Sequence, residues 1–153
     1  MREEILSLLS GNKIKAVPAF SGLIHITAEG LEREGLALHE VHHDAEKMAK
    51  AAASTFKLTG MPSAALPLDL CAPAEALGAE LKFYEGGEFQ FPQVTKAWVK
   101  STREITAEIE NKDLLNSGRI GLICDAISKV KADIGHQAVI SGTIPGPYTL
   151  LLY

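Results

Sequence analysis

The chain has 153 residues, 46% of them hydrophobic and 22% charged, which suits a single globular domain with a real core. A formal net charge of −4 and a pI of about 5.7 exclude the basic face that a nucleic-acid binder needs. No apolar run approaches the roughly 18 residues that span a bilayer, and Glu3 and Glu4 stand where a signal peptide wants a basic start, so a cytoplasmic protein is expected.

Residues 2–9 place Ile5, Leu6, Leu8 and Leu9 on a short leading helix that ends at Gly11-Asn12. Residues 14–20 are β-prone, with Pro18 confining them to an edge or a strand end. Asp44 is placed to cap a helix whose apolar face is Ala45, Met48, Ala49, Ala52 and Phe56, and Gly60 stops it. Residues 63–68 predict a buried strand with Asp69 at its C-terminal end. A helical turn or two at 73–77 and a short strand at 80–83 follow, and 88–102 resist assignment. Ile120, Ile123, Ile127, Val130 and Ile134 recur at helical spacing between Asp113 and Ile134, with Gly135 as the stop. Residues 137–141 predict a third buried strand, 142–147 a turn, and 148–153 the start of an apolar segment. This β-α-β-α-β order predicts parallel strands with helical crossovers. Three such strands have neither closed edges nor covered faces, so an incomplete unit is expected.

His39-Glu40-Val41-His42-His43 satisfies HExxH, the zinc-protease spacing, which needs both imidazoles on one face of a stable helix. With Gly35 upstream and Asp44 opening the next helix, these residues read as a solvated loop, and no metal site is expected. Asp69 has two readings. At the C-terminal end of a barrel strand it would face the active-site mouth; otherwise it caps the next helix. His25, Ser21 and Gly22 after the first strand, and Gly146 after the third, are candidates for lining the same mouth. Each is equally explained by turn chemistry or simple exposure. Cys71, near Asp69, is a candidate thiolate or an inert buried cysteine; Cys124 reads as packing on its helix.

The run Pro67-Leu68-Asp69-Leu70-Cys71-Ala72-Pro73-Ala74-Glu75-Ala76-Leu77-Gly78 resembles the second-strand motif of the uroporphyrinogen decarboxylase superfamily. Gly142-Thr143-Ile144-Pro145-Gly146-Pro147-Tyr148-Thr149-Leu150, running on to Tyr153, is similar to a later motif of that family, and His43-Asp44-Ala45-Glu46-Lys47-Met48-Ala49 to the opening of its first barrel helix. The resemblance implies the N-terminal portion of a (β/α)8 TIM barrel over residues 1–153, incomplete on its own, with Asp69 and Tyr153 as active-site residues. The decarboxylase's arginine-bearing segment after the first strand is replaced by Phe20-Ser21-Gly22-Leu23-Ile24-His25-Ile26-Thr27, so the clamp for substrate carboxylates is absent there.

That first strand and loop resemble instead the branch of methylcobalamin:coenzyme M methyltransferases. This implies methyl transfer between a methylcorrinoid and a thiol or other small acceptor. Zinc and a corrinoid are then expected of the full-length family member, the zinc ligands lying beyond this chain. The expected partners are a corrinoid protein or tetrapyrrole ligand, and either the rest of the barrel or a second copy. A porphyrinogen decarboxylase fragment and a non-catalytic half barrel are the alternatives.

Overall fold

The computed structural model describes residues 1–86, 89–99 and 113–151. Its elements run α1 (Arg2–Leu9), α2 (Ala28–Arg33), a 3-10 helix (Leu38–His42), α3 (Ala45–Thr59), β1 (Ser63–Leu66), α4 (Ala72–Leu77), β2 (Glu80–Lys82), β3 (Gln93–Lys96), a second 3-10 helix (Leu114–Asn116), α5 (Ile120–Ile134), β4 (Val139–Gly142) and α6 (Pro147–Leu151).

The core is a parallel pair, β1 beside β4, with Ser63 opposite Val139 and Leu66 opposite Gly142. All four residues of β1 are buried: α3 packs on it, and α5 packs on α3 and on β4. Asp44 starts α3 as predicted, its carboxylate accepting the Lys47 N–H at 2.9 Å, and Gly60 ends it in the left-handed conformation. The buried face of α3 is mostly alanine (Ala49, Ala51, Ala52, Ala53), and short side chains let neighbouring backbones come close. Gly30 on α2 shows how close: a Cβ there would lie 2.9 Å from the Ser54 hydroxyl. Met48, Leu66, Val130 and Ile134 fill the space between the helices and the sheet.

Three expectations are corrected. Residues 14–20 form no strand; Pro18 cannot donate to a ladder and Val17 is 90% exposed. The place beside β1 is taken by irregular chain, with Ser21 N–H donating to the Ser63 hydroxyl at 3.4 Å and the Ser141 hydroxyl donating to the Gly22 carbonyl at 3.3 Å. The short strand expected at 80–83 forms at 80–82, in an antiparallel pair of β2 with β3. The last long helix begins at Ile120 rather than near Asp113. Cys124 is exposed on α5 rather than packed. Among the described residues no helix is long and apolar enough to cross a membrane.

Candidate functional site

Beyond β1 the chain stays buried through Leu68 and Asp69, and there the protein gathers its charges. Arg119 grips Asp69 with two nitrogens, Nη1 to Oδ2 at 2.8 Å and Nη2 to Oδ1 at 3.2 Å. Its Nε donates to Glu75 Oε2 at 2.7 Å. Asp69 Oδ1 also accepts the Cys71 N–H at 2.9 Å, which shapes the turn leading into α4. His42 Nδ1 lies 3.2 Å from Asp69 Oδ2, near enough to attract but outside hydrogen-bond geometry; its Nε2 also has no partner among the described residues. The Phe83 ring lies 4.9 Å from the guanidinium and 4.3 Å from the His43 ring, a favourable cation–π arrangement.

Asp69, Arg119 and His42 are 3%, 6% and 1% exposed, so water screens the Asp69–Arg119 pair little. Burial by itself would push the Asp69 carboxyl up; contact with His42 and Arg119 outweighs it and holds the group far below the usual carboxylate range. For Arg119, burial works against the charge, and Asp69 with Glu75 overcomes it and pushes the value up. Burial, helped by the Asp69 charge, pushes the Cys71 thiol up, so the thiol, whose Sγ lies 3.3 Å from the Pro92 carbonyl, is the inert form rather than a thiolate. Burial, with Arg119 and His42 nearby, holds His43 below its ordinary value.

Of the two readings that its position offered Asp69, the helix cap is not what forms: the N-cap of α4 is Cys71. Four contacts already engage the Asp69 carboxylate, which has about four acceptor sites. Asp69 does border a cavity of about 340 Å³ whose walls are Leu68, Asp69, Leu70, Cys71, Phe91 and Ile24. His25 is not brought to this cavity: its Nε2 meets the Ser63 carbonyl at 2.9 Å, at the opposite end of β1. Ser21 and Gly22 lie alongside β1 and β4, and Gly146 is exposed, its carbonyl accepting from Leu150 in α6. Tyr153 lies outside the described residues.

The HExxH reading as a solvated loop is half right. The five residues are not in an α-helix, but His42 and Val41 are core residues of the 3-10 helix. His39 lies in the 3-10 helix and His43 just past its end, and both line a cavity of about 270 Å³ with Glu40 and Phe83. Glu40, the would-be base, is held by Lys47 Nζ at 2.8 Å and by the Ala37 N–H. Glu75, on the same side, is held by Arg119. Among the described residues no three His, Cys, Asp or Glu side chains are placed to hold a metal ion.

Arg119 escaped the sequence reading, although a signal existed. An arginine beside the first turn of a long helix opposes the helix dipole, and such a residue asks for carboxylates elsewhere. His42 had one too, lying at helical spacing from buried Leu38.

A family model described as uroporphyrinogen decarboxylase (URO-D) matches residues 1–153. The Methylcobamide:CoM methyltransferase MtbA of Methanosarcina acetivorans is 32% identical over 149 residues, covering 97% of this chain and 43% of that protein. The Methylcobamide:CoM methyltransferase MtaA of Methanosarcina barkeri is 29% identical over 150 residues, covering 98% of this chain and 43% of its own length. A solved methyltransferase from Methanosarcina mazei superposes with a TM-score of 0.84 at 29% identity, over 97% of this chain and 43% of that one. The chain thus spans less than half the length of the relatives it matches.

Proposed function

The chain belongs to the uroporphyrinogen decarboxylase family, and from that premise we propose that it serves methyl transfer between a methylcorrinoid and a small thiol, as part of a (β/α) barrel. Two of its relatives are named for that reaction with coenzyme M. The observation that carries the choice within the family is the state of the arginines. Decarboxylating a porphyrinogen calls for free guanidinium groups to hold the substrate's carboxylates. Each arginine among the described residues is already paired: Arg2 with Glu3, Arg33 with Glu29, and Arg119 with Asp69 and Glu75.

A bound methylcorrinoid supplies an electrophilic methyl group. This chain's own part is to shape one wall of the chamber that receives it. Leu68, Leu70 and Phe91 present an apolar surface that excludes water, and a dry surface favours transfer to sulfur over side reactions with solvent. Asp69 orients the ligand by holding that wall in register. Ser21, Gly22 and Gly146 are proposed as backbone on the substrate side, and Tyr153 as a further contact. The donors described here do not fit a zinc ion, so no zinc step is assigned to them. A corrinoid protein is the proposed partner.

The test is to mix the chain with methylcobalamin and 2-mercaptoethanesulfonate and follow the corrinoid spectrum, alone and with a polypeptide supplying the rest of the relatives' length. Thiol-dependent loss of the methylcobalamin spectrum in either mixture is the expected result. Consumption of uroporphyrinogen instead would assign the decarboxylase alternative, and inactivity of both mixtures on both substrates would leave a non-catalytic role.

A further inference from the structure

Arg119 is placed where a helix disfavours it, at the N-cap of the 15-residue α5. Its entry depends on Gly118. That residue has φ +54, and a Cβ on it would lie 3.2 Å from both the Ala76 nitrogen and Glu75 Cγ, so the chain entering α5 runs hard against α4. The guanidinium is delivered between two carboxylates, one 50 and one 44 positions earlier in the chain, and beneath the Phe83 ring. All three kinds of guanidinium nitrogen are used.

We infer that Arg119, seated by Glu75, Phe83 and the close approach at Gly118, is a positioning residue that fixes the Asp69 carboxylate and, through it, the 69–71 turn forming the wall of the cavity. The chain of contacts is continuous. The guanidinium fork spans both Asp69 oxygens, so the carboxylate cannot rotate without breaking one bond. One of those oxygens is the acceptor for the Cys71 N–H. Leu70 and Cys71 then present their side chains to the cavity. A lysine would keep the charge and lose the fork. The inference rests on the methyl-transfer reading only for what the cavity receives.

The test is amide hydrogen exchange by NMR on the full chain, comparing wild type with Arg119→Lys and Glu75→Gln. In Arg119→Lys the Cys71 amide is expected to exchange about tenfold faster or more, as for the loss of one charge-assisted hydrogen bond, and the Asp69 carboxyl carbon resonance to move. The amides of Ala64 and Ala65 in β1 should keep their protection. Glu75→Gln, which keeps Arg119, should shift the same two signals in the same direction by less. Unchanged Cys71 and Asp69 signals in both variants would overturn the inference, and so would a loss of protection shared equally by β1 and α3, since the arginine would then add only overall stability. If Arg119→Lys frees the Cys71 amide while wild type and its complement show no thiol-dependent turnover of methylcobalamin, the positioning role stands and the methyl-transfer reading fails.

Discussion

The two flanks of β1 are secured by opposite means. Past its C-terminal end, buried Asp69 and part-exposed Glu75 are locked to the Arg119 guanidinium by short charge-assisted bonds. Alongside it, residues 21–25 are attached by hydrogen bonds involving Ser21, His25 and Ser141, with Leu23 71% exposed. Both regions meet the same strand, yet one is dry and the other wet. The lesson is that attachment to a sheet is strong where water is excluded, since each buried partner that leaves strands another without solvent.

The comparison breaks most visibly at Arg119. Arg119→Met should cost about 3–5 kcal/mol in urea unfolding at neutral pH, because Asp69 is left buried with only His42 and the Cys71 N–H beside it; a loss under about 1 kcal/mol would make the two flanks equivalent. The pH dependence has a definite sign. The folded Asp69 carboxyl is held below its unfolded value, so its contribution is fully present above about pH 4 and is lost as pH falls through the folded value. The stability gap between wild type and Asp69→Asn should therefore narrow in acid; a gap that widens there would refute the assignment.

Next in size, Leu66→Ala at the buried end of β1 should cost about 3 kcal/mol through cavity formation, measured by the same unfolding curves. On the wet flank, Ser63→Ala removes the hydroxyl that accepts from Ser21 and faces His25. It should cost about 1 kcal/mol and speed exchange of the Ser21 amide without altering Cys71. Smallest of all, Val17→Lys should change stability by less than about 0.5 kcal/mol, as the side chain is almost wholly exposed. A larger loss would mean that residues 14–20 are covered in solution.

The parts of the fold open to reading were those whose causes are local. The cap at Asp44, the stop at Gly60, the apolar stripe from Ile120 to Ile134 and the run at 63–66 each declare themselves within a few residues. The segment at 14–20 shows the limit, because β-propensity states what a residue tolerates and pairing needs a neighbour with free backbone groups. Likewise HExxH is a statement about spacing, and the 3-10 geometry of Leu38–His42 withholds the α-helix that the zinc chemistry needs.

What the residues alone determined was the family, through motifs around Asp69 and Gly146 and the helix opening at Asp44, together with most of the helices and the buried strand. What only the tertiary structure decided was the condition of Asp69. Its partners His42 and Arg119 come from two separate elements, the second 50 positions away. Helix caps and periodicity act over one or two turns and so leave a mark in sequence. A buried ion pair is set by desolvation and by the meeting of distant chain segments, and neither exists until the chain has folded.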